Sequence, residues 1–364
     1  MRYKPNQYDW TACDGLRNAT AGGGCPSTCE GLGLAGDACP LVLSHSESSG
    51  VSRVPLAGFG FNPTIVRAPA HLRSRGAEFI GTDRFEQNNK RVACRNPNLH
   101  AYVRNNASTA RLLLLDRNLR VLQRSRIRGD RCMAHRYSAV DARLLVSGAQ
   151  LYASYANMWG DAECRGHFLA HLKLKLDAPH LGQFASARRL RSIRNGGVLV
   201  QRNRITMELA DIAPLTEVVD TVTGALTRRS VPRHFSAFMH NSMHPLWVPE
   251  LSAFLGAGHR HLRQGYDANG AAVHGAPFQY GSSYRHVLFT FNATTRSIAR
   301  FSNEFCIAAL DGTRACEGIS FIMGAFRRMD APGTVSFSYG INDCESALLT
   351  LSIARLDALL AFGS

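Results

Sequence analysis

Val140-Asp141-Ala142-Arg143-Leu144 and, far along the chain, Tyr339-Gly340-Ile341-Asn342-Asp343-Cys344-Glu345-Ser346 each set acidic groups among residues of alternating polarity. Alternation with period two is the signature of a strand, and a closed sheet that brought the two segments together would aim their carboxylates at a shared cavity. Outward from them the chain reads as β structure from about Gly58 onward. Val198-Leu-Val200, His286-Val-Leu-Phe-Thr-Phe291, Gly318-Ile-Ser-Phe-Ile322 and Thr334-Val-Ser-Phe-Ser-Tyr339 are short β-prone runs bounded by Gly, Pro, Asn or Asp. Helical periodicity is confined to Ala347 to Phe362, whose first half fits a final strand equally well. Strand, Gly turn, strand units recur at intervals of about 50 to 70 residues, the size of long propeller blades. The expected class is all-β: a pair of sandwiches, a barrel or a propeller.

The chain has 364 residues, 45% of them hydrophobic, enough for one large all-β domain or two ordinary ones with a substantial core. The densest apolar run, Leu112 to Leu115, is far too short to cross a bilayer, so no membrane span is expected. The formal charge of +15 comes almost wholly from arginine, whose fork binds phosphate and carboxylate bidentately. The clusters Arg111 to Arg117, Arg124-Ser-Arg126-Ile-Arg128 and Arg188-Arg189-Leu-Arg191 mix with apolar residues, as strand and loop decoration does. With no helix-turn-helix, zinc-finger or aromatic ribonucleoprotein signature, nucleic acid is not an expected partner.

Ten cysteines, at 13, 25, 29, 39, 94, 132, 164, 306, 316 and 344, lack the paired Cys-x-x-Cys spacing of structural zinc, so disulfides are expected and no metal site is. Cys306 and Cys316 flank the turn signal Asp311-Gly312 and are the first expected pair. Cys132 and Cys164 lie outside the hairpin of Asp141 to Tyr155 and are the second. Cys13 to Cys39 crowd into a Gly/Ser/Pro-rich stretch that lacks periodicity and needs staples to hold a shape. Asn18, Asn106 and Asn292 head Asn-x-Ser/Thr acceptors in polar, turn-like contexts. Together these point to the secretory-pathway lumen (Golgi or endoplasmic reticulum) or to secretion, although Met1-Arg-Tyr-Lys-Pro contains no apolar signal region.

Several segments, in order, resemble five-bladed β-propeller carbohydrate enzymes. Phe61-Asn-Pro-Thr-Ile-Val-Arg-Ala-Pro69 looks like their opening strand, with Glu78-Phe-Ile-Gly-Thr-Asp-Arg84 as its partner. Asp141-Ala-Arg143 followed by Leu151-Tyr-Ala-Ser-Tyr155 resembles the Glu-Asp-Pro-Arg and Tyr-x-x-Tyr hairpin of glycoside hydrolase family 130, which contains β-mannoside phosphorylases; related propellers include β-1,2-mannosyltransferases. Leu255-Gly-Ala-Gly-His259 resembles the strand carrying a pocket histidine, and Ser338-Tyr-Gly-Ile-Asn-Asp343 the closing blade. Val140 and Ala142 stand where that hairpin has an acid and a proline, a departure that bears on activity more than on fold.

The resemblance implies a five-bladed β-propeller over residues 58–364 behind a Cys-rich irregular extension, 1–57. It implies transfer of a glycosyl group by an inverting mechanism, with a carbohydrate substrate, phosphate or a nucleotide-sugar as donor or acceptor, and no cofactor. Asp141 is the expected general acid, with a turn or capping aspartate as the alternative reading. Arg67, Arg84, Arg143, His259 and Asp343 are the expected substrate or phosphate ligands, with Arg260 as a further candidate. Arg143 falls on the same strand face as Asp141 if the pleat is regular. Glu250, Glu304 and Glu317 are candidate second carboxylates, and Tyr152, Tyr155, Trp247 and Tyr284 are candidate sugar platforms or core aromatics. His240 and His244 lie four apart, but Pro245 argues against the helix on which that spacing would suit a metal. A second carboxylate facing Asp141 would favour an inverting hydrolase. An aromatic channel lacking a placed acid would favour a non-catalytic glycan-binding propeller.

Overall fold

The structure is a computed structural model that describes residues 41–44, 50–86, 108–129, 132, 139–157, 162–175, 181–191, 196–212, 215–231, 239–263, 282–308, 310, 319–341 and 345–360. Two strands come first, β1 (Leu41–Leu43) and β2 (Val51–Pro55). Four antiparallel strands then form a first blade: β3 (Phe61–Arg67), β4 (Phe79–Glu86), β5 (Ser108–Leu115) and β6 (Val121–Arg128). The second blade is β7 (Val140–Ser147), β8 (Gln150–Asn157), β9 (Gly166–Leu174) and β10 (Gly182–Arg189). The third is β11 (Gly197–Gln201), β12 (Arg204–Asp211), β13 (Leu215–Asp220) and β14 (Leu226–Ser230).

The fourth blade has a broken innermost strand, β15 (His240–Asn241) and β16 (Leu246–Val248), both paired to β17 (Ala253–Arg263). Then come β18 (Ser282–Asn292) and the short outer pieces β19 (Ser297–Phe301) and β20 (Phe305–Ile307), with β1 parallel to β20. The fifth is β21 (Ser320–Phe326), β22 (Thr334–Ile341) and β23 (Glu345–Ser352), completed by β2, which pairs antiparallel with β23 from Val51↔Leu351 to Pro55↔Ala347. Thus β1 and β2, which precede position 58, belong to the sheets of the fourth and fifth blades.

The five sheets close into a ring, because the apolar core divides into five clusters that fall one at each junction. Ile80 and Leu112 meet Leu144 and Tyr155 between the first and second blades. Leu145 and Leu169 meet Val198 between second and third. Leu199 and Leu209 meet Phe289 and Phe291 between third and fourth. Leu255 and Leu288 meet Phe337 and Leu349 between fourth and fifth. Ile65 and Leu113 meet Phe326 and Leu348 between fifth and first. A blade flanked on both sides buries both faces, which accounts for the run Leu112–Leu115: Leu112 and Leu114 pack toward the second blade, Leu113 and Leu115 toward the fifth. The first two blades are also joined edge to edge, since β6 and β10 pair in parallel at Ile127↔Gly182.

Polar side chains bind the same junctions. Thr82 Oγ1 donates to the Ala142 carbonyl (2.7 Å), Ser147 Oγ to the Asn203 carbonyl (2.7 Å), and Ser338 Oγ to the Pro63 carbonyl (2.8 Å). His286 Nε2 lies 3.0 Å from Ser320 Oγ. His244, in the break between β15 and β16, joins three blades: its Nδ1 accepts the Val198 N–H (3.0 Å), and its Nε2 lies 3.1 Å from Ser154 Oγ and 3.3 Å from the Arg143 carbonyl. An Nδ1 that accepts must be unprotonated, so the proton of the neutral ring sits on Nε2.

Of the expected disulfides, Cys132–Cys164 is formed, its residues 32 apart in sequence. Cys306 is disulfide-bonded as well, and Cys316 lies outside the described residues, as do Cys13, Cys25, Cys29, Cys39, Cys94 and Cys344. The segment expected to be helix or strand at the C-terminus is both in turn: β23 runs to Ser352, whose hydroxyl caps a helix, α1 (Ile353–Leu359), by accepting from Arg355 N.

Two outcomes are expected of stability. Replacing Cys132 and Cys164 together by Ser should destabilise the fold by about 3.7 kcal/mol in a denaturant titration, the scale of closing a loop of this length. Burial, with the Arg143 charge second, lowers the His244 pKa to about 3; burial, then Arg143, then His244 itself, also lowers that of His167. The folded protein keeps these rings neutral while the unfolded chain protonates near pH 6.5, so their contribution is complete above about pH 6.5 and is lost as pH falls below it. The slope is about 1.4 kcal/mol per pH unit for each ring. His244→Gln, which can replace both hydrogen bonds without titrating, should flatten the decline of Tm between about pH 6 and 4; an unchanged slope would show that other groups govern it.

Candidate functional site

The innermost strands of the first two blades begin alike. Their registers slip between Phe61 and Thr64 and between Val140 and Arg143, and the second residue of each takes a left-handed backbone, Asn62 at φ 51° and Asp141 at φ 55°. Asn and Asp enter this region most readily among residues with a Cβ. The slips turn the two side chains toward each other: Asn62 Nδ2 donates to Asp141 Oδ1 at 2.9 Å. Arg84, paired across the sheet with Phe61, brings Nη1 to 3.9 Å from the same oxygen, and its guanidinium lies over the Phe61 ring, 4.9 Å from the centroid. The Asp141 side chain is 9% exposed and that of Arg84 15%. Among the described residues, Asp141 Oδ2 has no hydrogen-bond partner.

At Gly340 the fifth blade approaches Asn62 by its backbone. A Cβ on Gly340 would fall 2.0 Å from Asn62 Oδ1 and 2.8 Å from its amide nitrogen, so glycine is required there for close approach. The support beneath is Asp83, 2% exposed, which accepts from Arg111 Nε (2.9 Å), from Arg111 Nη2, and from the Gly60 amide (2.5 Å). Burial raises the Asp83 carboxyl pKa against the pull of Arg111. The ion pair and the Gly60 bond fix the turn that leads into Phe61-Asn62.

Arg143 does not stand beside Asp141 as regular pleating would have it, because the slip between Val140 and Arg143 interrupts the alternation. Its guanidinium, 1% exposed, approaches the Gly196 carbonyl at 3.5 Å and lies 5.7 Å from the centroid of Phe321. The other side of that wall holds His259, which meets Phe321 edge-on at 4.8 Å, stacks on Tyr284 at 5.5 Å, and has Nδ1 2.8 Å from Ser242 Oγ. His240, His259 and His286 are successive cross-strand partners on β15, β17 and β18, a row of three imidazoles. Among the described residues, no three His, Cys, Asp or Glu side chains are placed to hold a metal ion.

The structure thus gathers Asp141 and Arg84 at one point, and Arg143 and His259 around Phe321. It leaves Arg67 apart: exposed, it ends β3 five residues beyond Asn62, on the order of 16 Å along the strand. Asp343 and Glu317 lie outside the described residues. Glu304 is engaged by Arg260 and Glu250 by Arg327, while Glu345 is exposed at the head of β23. Tyr155 is core, stacked between Phe168 and Phe184; Tyr152 packs on His171, and Trp247 stands half exposed against Phe254. Absent from the expected ligands were Asn62 and Gly340. The shared position of Asn62 and Asp141, each next to the first residue of its blade, is the signal that could have found the first. Nothing local marks the second.

No protein-family model and no curated protein matches the sequence. In structure the chain is similar to a GDP-Man-dependent mannosyltransferase from Leishmania mexicana, with 12% identity over 83% of this chain and 89% of that one and a TM-score of 0.46. It is similar to a mannose phosphorylase from Leishmania mexicana in complex with phosphate ion, with 10% identity over 83% and 86% and a TM-score of 0.47. It is also similar to a structure from the GH130 family of mannoside phosphorylases, described as containing glycoside hydrolases that target beta-1,2 mannosidic linkages in Candida mannan. There the identity is 11% over 81% and 85%, with a TM-score of 0.47.

Proposed function

We propose that the chain is a carbohydrate-active enzyme that transfers a glycosyl group, mannoside-directed and with inversion, to or from phosphate or a nucleotide-sugar. The observation that carries the reading is the Asn62–Asp141 pair, two left-handed residues held mouth to mouth. Such backbone costs on the order of 1 kcal/mol or more at each residue and persists only where the surroundings enforce it. In this reading Asp141 is the general acid. Asn62 holds Oδ1, leaving Oδ2 to carry the proton to the departing glycosidic oxygen as the bond from that oxygen to the anomeric carbon breaks. The acceptor attacks that carbon from the opposite face.

An inverting hydrolase needs a second carboxylate to activate water. Among the described residues, Asp83 is committed to Arg111 and Gly60, and Glu304, a candidate second carboxylate, to Arg260. An acceptor that brings its own charge needs a cation instead, and Arg84, partly exposed beside Asp141, is suited to hold phosphate or diphosphate. Arg143 and His259, buried, act in this reading by shaping the wall around Phe321.

Asp141→Asn keeps the shape and the hydrogen bond from Asn62 but has no acidic proton. It should retain the fold and lower turnover about 10²–10⁴-fold, assayed with β-mannosides plus inorganic phosphate and with GDP-mannose plus a mannoside acceptor. In the same assays Arg84→Ala should chiefly raise KM for the anionic substrate. A wild-type protein that binds mannosides and turns over neither set, with Asp141→Asn binding equally, would leave a glycan-binding propeller. Gly340→Ala should act at a distance: by displacing Asn62 it should lower turnover at least tenfold while circular dichroism keeps its β signature. Unchanged activity would remove Asn62 from the site.

A further inference from the structure

We propose that Asn292 is an acceptor for an N-linked glycan on the face of the propeller opposite the candidate site. Asn292-Ala293-Thr294 has the hydroxyl two residues after the asparagine that N-glycosylation requires, and no proline between. Of the three such triplets it is the one within the described residues; Asn18 and Asn106 lie outside them.

The local structure presents the reacting atom. Asn292 is exposed at the last position of β18, and its Oδ1 accepts from the backbone N–H groups of Thr294 (2.9 Å) and Thr295 (3.1 Å). With the amide oxygen held by the turn, the other branch of the planar group, Nδ2, has no hydrogen-bond partner among the described residues. Thr294 is exposed as well, and the turn is anchored behind by Arg296, whose Nη2 donates to Asp220 Oδ2 at 2.7 Å.

Position along the blade makes the modification compatible with an open site. The innermost strand of this blade runs from His240–Asn241, opposite His259 and Gly258, to Leu246–Val248, opposite Leu255 and Ala253. Phe291 pairs with Phe254, so Asn292 lies where that strand ends. Asn62 and Asp141 lie where theirs begin. The reaction needs a lipid-linked oligosaccharide diphosphate as donor. Nδ2 forms a bond to the anomeric carbon of the first sugar, the bond from that carbon to phosphate oxygen breaks, the diphosphate leaves with its electron pair, and a proton is lost from Nδ2. Such donors are used in the oxidising secretory compartment, in keeping with the Cys132–Cys164 disulfide.

The test is peptide mapping of the full chain secreted from eukaryotic cells, before and after an amidase that releases N-glycans and leaves aspartate. The Asn292 peptide should carry a glycan in the wild type and in Thr294→Ser, and lose it in Asn292→Gln and Thr294→Ala. Thr294→Ala keeps the N–H that bonds Oδ1, so its loss would report the hydroxyl and not a broken turn. An unmodified Asn292 in the secreted wild type, or equal occupancy in Thr294→Ala, would overturn the proposal. Neither result depends on the activity proposed above.

Discussion

The closure of the ring by β2 is the constraint on which the rest depends. Each blade has two apolar faces, and a row of five sheets would leave one face of the first and one of the last in water. Pairing Val51–Pro55 with Ala347–Leu351 ties the strand that leads into the first blade to the last blade, and the junction of Phe326 and Leu348 with Ile65 and Leu113 then buries both remaining faces. Removing one large apolar side chain from such a junction costs about 2–5 kcal/mol. A junction common to two blades transmits the loss to both.

Closure creates a second requirement. The innermost strand of every blade is an edge, with backbone groups turned toward the axis and no further strand to pair them. Side chains from neighbouring blades answer part of that need. Thr64 and Thr82 donate to the Ala142 carbonyl, Ser338 to the Pro63 carbonyl, Ser346 to the Gly60 carbonyl, and His244 serves Val198 and Arg143 together. The buried histidines and hydroxyls are therefore structural before they are chemical. This is why the neutrality of His244 bears on stability.

What the sequence made legible was what depends on neighbours in the chain. The hairpin from Asp141 to Tyr155 is β7 and β8, the strand leading to His259 is β17, and Cys132 does bridge to Cys164 across that hairpin. What was not legible depends on partners far away. β2 sits in a stretch set apart as an extension, and its place as an outer strand follows only from β23, which lies hundreds of residues later. The bulges that separate Arg143 from Asp141 leave a trace only in Asn62 and Asp141 as residues tolerant of positive φ. Arg67 reads like Arg84 in sequence; that they stand at opposite ends of the first hairpin is set by register, Phe61↔Arg84 and Arg67↔Phe79.

The same register explains why the candidate chemistry gathers where it does. Bulges at the heads of β3 and β7 release two polar side chains from the sheet, and the adjoining junction has already spent its hydroxyls on carbonyls one or two residues along. Asn62 and Asp141 meet there by hydrogen bond, with Arg84 Nη1 3.9 Å from the shared carboxylate oxygen. A group held by two bulges, an amide and the bare backbone of Gly340 cannot relax without moving three blades. A carboxyl so held is positioned before any ligand arrives, which is what the general-acid role proposed for Asp141 requires.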